Sequence, residues 1–279
     1  MNIADAILSA QFDPSEKPFF AKVHEHFRRV VGGRRSEPVD NYLDQLIGGA
    51  PLSEPDARVL FAEILKGELA EDQIGSLLVA LQPDMLSAST LAAFADVLRK
   101  HGLTVNPPHG ESLSDTCGTG SDTMSTFNVS TTIMPILAAG GMKIAKHGNR
   151  AITSQCGSAD VLEALGVRID LEPEGVETCL REVGIGFMYA PVFHRALRNL
   201  GKIRAMLARE MPDNIKGRTV FNVLGPLANP ARAQCQIIGV YSPTLLTKFA
   251  EALRLLNVRR AFVAYGLCDG LNVGLDEFS

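Results

Sequence analysis

The sequence predicts an α/β protein in which a small all-helical N-terminal domain precedes a larger α/β domain with a mostly parallel central sheet. Three observations carry that prediction. From Tyr42 to about Leu103 the apolar residues recur at helical spacing. Asn106-Pro107-Pro108 then breaks the pattern. Beyond it, short apolar runs alternate with helical stretches, as they do when strands pair in parallel through helical crossovers. The expected divisions are an N-terminal extension over 1–40, a helical domain over 41–108 to which later helices can add, and an α/β domain over 109–279.

In the extension, Phe19, Phe20, Val23 and Phe27 could line one face of a short helix, and Gly32-Gly33-Arg34-Arg35-Ser36 reads as a linker. Ser53-Glu54-Pro55-Asp56 is an N-cap followed by a first-turn proline and acid, opening a helix that runs to Lys66. Leu60 and Ile64, then Ile74, Leu77, Leu78 and Leu81, supply its apolar faces and those of the next segment. Ser87 and Ser89 can cap a further helix through Lys100. In the α/β part, strands are expected at Gly141–Ala145, Ile185–Tyr189, Gln236–Tyr241 and Arg260–Tyr265. Helices are expected at 128–139, 158–166, 173–183, 193–209 and 243–256.

Composition narrows the function. At 46% hydrophobic and 21% charged, the chain is an ordinary globular one, which excludes wholesale disorder. A net charge of −4 argues against general nucleic-acid binding. The charge-free stretch from Thr123 to Met142 is rich in Ser, Thr and Asn and contains Pro135, so it does not read as a membrane span. The N-terminal MNIADAILSA has no basic start, and no secretory or transit signal is expected. Cys117, Cys156, Cys179, Cys235 and Cys268 form no CxxC pair, the usage of a reduced, cytoplasmic protein.

Three small-residue loops carry the chemistry. In Asp115-Thr116-Cys117-Gly118-Thr119-Gly120-Ser121-Asp122 the glycines let backbone amides approach a ligand closely, yet neither a Walker A loop nor a dinucleotide fingerprint is present. Asn128-Val129-Ser130-Thr131 stands just before an apolar helix, where hydroxyls and the helix dipole favour an anion. Lys146-His147-Gly148-Asn149-Arg150 ends a strand and brings a cation, an imidazole and an amide to the sheet's carboxyl edge. Thr153-Ser154-Gln155-Cys156-Gly157-Ser158-Ala159-Asp160 follows as the third loop before a helix, and the set suggests a ligand with more than one phosphate. Among Arg195, Arg198, Lys202, Arg204, Arg209, Lys216 and Arg218, one inward arginine would suit a carboxylate substrate. Asp276-Glu277 can share divalent cations with phosphate oxygens. No nucleophile stands out. That inventory suits a transfer in which the protein positions a phosphorylated donor and the acceptor brings its own nucleophile.

Over Tyr42 to Ser279 the chain closely resembles the anthranilate phosphoribosyltransferases of tryptophan biosynthesis. The resemblance rests on the three loops above, on Thr126-Phe127-Asn128, on Thr219 to Pro230 (TVFNVLGPLANP) and on Gly274-Leu275-Asp276-Glu277. It implies a fold of the nucleoside phosphorylase/phosphoribosyltransferase type, C-terminally short, because family members continue beyond the acidic pair. It implies a glycosyltransferase that moves the phosphoribosyl group of phosphoribosyl pyrophosphate onto the anthranilate amine with Mg²⁺. It also implies a cytoplasmic homodimer joined through the helical domain, with association to anthranilate synthase, and neither nucleic-acid nor membrane partners.

By the same resemblance Gly118, Thr119, Gly120, Asp122, Asn128, Ser130, Thr131, Lys146 and Thr153 would bind phosphoribosyl pyrophosphate. Gly118, His147, Asn149 and Arg204 would meet anthranilate. Ser130, Asp276 and Glu277 would hold the metal, and Lys146, Asp276 and Glu277 would be catalytic. The chain departs from the family pattern at Ser121, where glycine is usual, at Thr153, and in a longer segment after Arg204. Two other readings share the fold: an inactive or nucleic-acid-binding paralogue, and a pyrimidine-nucleoside phosphorylase. The near-complete motif set and the Lys-His-Gly-Asn turn favour the transferase.

Overall fold

The computed structural model describes residues 36–107, 110–120, 127–151, 156–201, 203, 219–268 and 271–275. Residues 1–35 of the expected extension, Ser121, Asp122, Thr153, Lys202, Arg204, Arg209, Lys216, Arg218, Asp276 and Glu277 lie outside the described residues. The chain divides into two compact units, one of residues up to Val97 with Ala196–Phe221, the other of Leu98–Arg195 with Asn222–Ser279.

The first unit is helical. Helix α1 (Glu37–Ile47) starts with proline in its first turn and buries Val39, Leu43 and Leu46. It begins inside the segment expected as an extension, because fully buried Val39 already belongs to the core. Helix α2 (Glu54–Lys66) is capped by Ser53, whose hydroxyl accepts from the Asp56 amide at 3.3 Å. Helix α3 (Glu71–Ala80) is buried nearly all round. Its Gln73 is closed off from water and matched on each polar group: the side chain accepts from Ser36 N at 3.1 Å and donates to Ser36 O at 3.0 Å and Asp40 Oδ1 at 2.8 Å. Helix α4 (Ala88–His101) is capped by Ser87, which accepts from Thr90 N at 3.1 Å. Phe61 and Phe94 stack with centroids 4.5 Å apart, and Phe221 tilts onto Phe61 at 5.8 Å.

The second unit is a five-stranded sheet in the order β3-β2-β1-β4-β5, parallel throughout: β1 Leu113–Gly118, β2 Lys143–Gly148, β3 Ile185–Tyr189, β4 Cys235–Gly239 and β5 Arg260–Ala264. Helix α5 (Val129–Ala139) packs on β2 and β1, and α7 (Pro173–Glu182) packs on β3 and β2. Helix α6 (Ser158–Ala164) and α5 supply Ala159, Leu162 and Met134 to one apolar cluster with Ile144 and Phe187. The other cluster gathers Leu113, Ala145 and Met188 with Val176 and Leu180 of α7. Successive strand residues therefore serve opposite faces, as pleating requires.

Four differences from the expected elements stand out. Strand β1, the central one, was outside the expected set, since Ser114-Asp115-Thr116 lacks an apolar run. Strand β2 starts at Lys143 and reaches Gly148, so Lys146 and His147 lie within it. Where a helix is expected over 193–209, the described residues show a short α8 (Ala190–Phe193) and a 3₁₀ turn (Arg195–Leu200), parted by His194 at φ −116, ψ 61, with Gly201 and Ile203 helical beyond them. Helix α9 (Val220–Leu227) forms despite Pro226, and α10 (Thr244–Leu255) packs on β5. A small hairpin of β6 (Gly266–Cys268) and β7 (Leu271–Leu275) follows. Among the described residues no helix is long and apolar enough to cross a membrane.

The two kinds of phenylalanine predict opposite outcomes. Phe61→Ala empties a fully buried site and should cost about 3–5 kcal/mol in denaturant unfolding. Phe262→Ser, in strand β5 where the ring is 76% exposed, should change stability by no more than about 0.5 kcal/mol in the same measurement.

Candidate active site

Parallel strands align their carboxyl ends: Gly118 of β1 pairs with Gly239 of β4, and Gly148 of β2 with Tyr189 of β3. The chain moves outward from β1 to β2 and β3, then returns to β4 on the other side. The carboxyl end of β1 is thus a switch point, where open α/β sheets form their ligand crevice. Gly118, Thr119 and Gly120 stand at that end. Gly120 has φ +64, a conformation that favours glycine. The Thr119 amide donates to Gly239 O at 3.0 Å and its hydroxyl accepts from Tyr241 N at 3.2 Å, which fastens the β1 turn to the end of β4.

Beside this turn, α5 opens with Asn128 as N-cap and with Ser130 and Thr131 buried in its first turn. Lys146 reaches the same place from β2. Its side chain is 1% exposed, and Nζ donates to Thr116 O and to Ser130 Oγ, the latter at 3.0 Å. Thr116 Oγ1 donates to Ser130 O at 3.0 Å, tying β1 to the helix start. The Thr131 hydroxyl oxygen is buried with no hydrogen-bond partner. The Lys146 ammonium and the Ser130 hydroxyl meet at a helix N-terminus, a donor-rich corner that fits a phosphate oxygen. The structure thus brings Lys146, Ser130 and Thr131 together, with Asn128 capping the same helix.

His147 is only one residue from Lys146 but faces the other side of the sheet. Its Nδ1 lies 2.9 Å from Gly225 O. A carbonyl can only accept, so Nδ1 carries the proton and Nε2 is the bare nitrogen. Nε2 is buried with no partner. His194 meets the His147 ring edge-on at 5.0 Å and donates from Nε2 to Ala228 O at 3.2 Å. Asn149 is exposed just past the end of β2. Asp115, Asn229 and His194 escaped the sequence reading as individual site residues. The signal available was the position of the first two inside the quoted motifs.

Burial dominates the electrostatics of this face. It lowers His147 to about 4 and His194 to about 3 from an ordinary 6.5, and raises Asp115 from 3.8 to about 6. The Gly225 carbonyl works against the His147 shift, while Lys146 and Arg99 add to it. For Asp115, Lys146, Asn229 and the His147 amide oppose the rise. Both imidazoles are therefore neutral near pH 7.

Each histidine binds its proton more weakly folded than unfolded, so its stabilising share is full above about 6.5 and is lost as pH falls toward 4 and 3. Asp115 has the opposite sign, its share falling as pH rises from 3.8 through 6. Two groups outweigh one. Unfolding free energy should drop between pH 6.5 and 4, and His194→Gln should flatten that limb by up to about 1.4 kcal/mol per pH unit in denaturant titrations.

Among the described residues no three of His, Cys, Asp and Glu gather as a metal site. Asp276 and Glu277 lie outside the described residues; with Ser130 Oγ, the residues the resemblance names would offer oxygen donors alone. That is the chemistry Mg²⁺ takes, with phosphate oxygens completing its shell.

Comparison with known proteins agrees with this fold. The family described as glycosyl transferase family, a/b domain, matches residues 110–279, and its helical bundle domain matches 40–102. Anthranilate phosphoribosyltransferase of Methanopyrus kandleri is 46% identical over 85% of this chain and 66% of its own length. That of Herpetosiphon aurantiacus is 49% identical over 82% and 63%. Among solved structures, the Thermus thermophilus enzyme superposes with a TM-score of 0.70 at 39% identity, covering 82% of this chain and 66% of that one. The Saccharomyces cerevisiae enzyme in complex with PRPP and Mg gives 0.71 at 31%, covering 83% and 66%. The chain spans just under two thirds of the length of these relatives. It belongs to the anthranilate phosphoribosyltransferase family of glycosyl transferases.

Proposed function

We propose that the protein transfers the phosphoribosyl group from 5-phosphoribosyl 1-pyrophosphate to the amine of anthranilate, giving N-(5-phosphoribosyl)anthranilate and pyrophosphate. The observation that carries this reading is the buried corner of Lys146, Ser130 and Thr131 at the start of α5. The Lys146 ammonium lies against the Ser130 hydroxyl at a helix N-terminus, a setting that suits phosphate oxygens, and relatives with this fold bind PRPP with Mg and 4-fluoroanthranilate.

In the transfer, the bond from ribose C1 to pyrophosphate oxygen breaks and a bond from the amine nitrogen to C1 forms. The amine then sheds a proton to solvent. Negative charge develops on the leaving pyrophosphate, next to Lys146 Nζ and the Gly118-Thr119-Gly120 turn, whose shape the sheet fixes beforehand. Asp122, Asn128 and Thr153 extend the phosphate contacts. Mg²⁺, held by Ser130, Asp276 and Glu277, would neutralise phosphate oxygens. Gly118, His147, Asn149 and Arg204 form the anthranilate side, with the Arg204 fork suited to its carboxylate. The aromatic amine is too weak a base to be protonated near neutral pH, and neutral His147 adds no positive charge beside it. The same reading carries a cytoplasmic homodimer joined through the helical unit, with association to anthranilate synthase as a further expectation.

Loss of anthranilate fluorescence in the presence of PRPP and Mg²⁺ tests the reaction, and phosphorolysis of thymidine or uridine in its place would overturn it. Lys146→Met keeps the buried volume, so the fold should persist by circular dichroism while turnover falls about 100-fold or more. Asp276→Asn should weaken Mg²⁺-dependent use of the donor more than anthranilate binding. Equal loss of both would contradict the metal assignment.

A further inference from the structure

The connection from β2 to α6 closes on one carboxylate. Asp160 Oδ2 accepts from the Ala151 amide at 2.9 Å and from the Gly157 amide at 2.8 Å, where the chain leaves the strand and where it enters the helix. Oδ1 accepts from Arg150 Nη1 at 3.0 Å. The Asn149 carbonyl completes the closure by accepting from Ala159 N at 3.1 Å and Ser158 Oγ at 3.3 Å. The two chain ends are so close that a Cβ at Gly157 would run into the backbone of Ala151, Arg150 and Asn149. Next to Gly157, the Cys156 carbonyl accepts from Asn128 Nδ2 at 3.2 Å. Asn128 is the N-cap of α5, and its own carbonyl accepts from Thr131 N at 3.1 Å and Thr132 N at 2.9 Å.

We propose that Asp160 is a positioning residue for the phosphorylated donor, acting through Gly157, Cys156 and Asn128 to set the start of α5 that faces phosphate. This deepens the transferase reading and rests on it. The Asp160 side chain touches no atom of the phosphate corner itself; its carboxylate fixes the backbone that holds Asn128. Arg150 also grips Glu163 through two contacts, at 2.7 and 2.8 Å, but among the described residues of the connection no backbone amide donates to Glu163. The closure therefore belongs to Asp160, and the outer ion pair is separable from it. With its side chain 29% exposed, Asp160 can be changed without opening the core.

The test compares Asp160→Ala, Asp160→Asn and Glu163→Gln in the full chain. Two readouts are used: hydrogen exchange at the Ala151 and Gly157 amides without ligand, and calorimetric binding of PRPP with Mg²⁺. Asp160→Ala should speed exchange at both amides and weaken PRPP binding about 10-fold, raising the donor KM while kcat at saturation stays within about twofold. Asp160→Asn keeps an acceptor oxygen and should recover part of both losses; if Asp160→Ala does not fold, it should show the same changes in smaller measure. Glu163→Gln should behave as the parent protein does. Faster exchange with unchanged PRPP affinity overturns the inference, as does a matching loss in Glu163→Gln. A parent protein that protects these amides but binds no PRPP overturns the transferase reading, and this inference with it.

Discussion

Two hydrogens on one amide hold the α/β unit in register. Asn229 Nδ2 donates to Asp115 Oδ2 at 2.7 Å and to Ala145 O at 2.9 Å, while its Oδ1 accepts from Ala231 N at 2.9 Å. Asp115 is buried in the central strand, and without Asn229 its carboxylate would keep only backbone donors, a costly state in so dry a place. Its Oδ1 also accepts from the His147 amide at 3.3 Å. Strand β1, strand β2 and the segment after α9 therefore meet at a point none could satisfy alone. The orientation of Lys146 to one face and His147 to the other follows from the strand that this junction holds.

Helix α9 contributes in a second way. Pro226 sits inside it with no amide to donate, and the end of the helix leaves carbonyls that need partners. They find them in side chains: Gly225 O takes His147, Pro226 O takes Gln236 at 3.1 Å, and Ala228 O takes His194. The imidazoles are thereby held as neutral donors, and the shape of their side of the sheet is set by a helix that ends where proline and glycine make it end.

Much of this was legible in sequence where local chemistry decides the outcome. Ser53 and Ser87 announce their helices because a cap is a contact between residues three apart. The strands around Ile144, Ile185 and Arg260 are visible as apolar runs flanked by helical spacing. Strand β1 is not, because Ser114, Asp115 and Thr116 are buried through partners such as Ser130 and Asn229 that lie far along the chain. The helix expected from residue 193 is interrupted at its start for a related reason, since His194 leaves helical geometry and its ring reaches Ala228. The Lys-His-Gly-Asn motif points to the carboxyl edge of the sheet, but not to the parting of its first two side chains to opposite faces. That division depends on where β2 begins, and Lys143 is a poor advertisement for a strand start.

Strand β2 also restricts how this part of the chain can change over time. Neighbouring side chains alternate strictly, so inserting or deleting one residue upstream in the strand would send an ammonium toward Gly225 and an imidazole toward Ser130. Neither place could accept the exchange: one would confront a charge with the apolar cluster around Met188, the other would lose its only described cation. Length variation in this strand is closed to drift, and new specificities on either side are reachable only by replacing one side chain at a time.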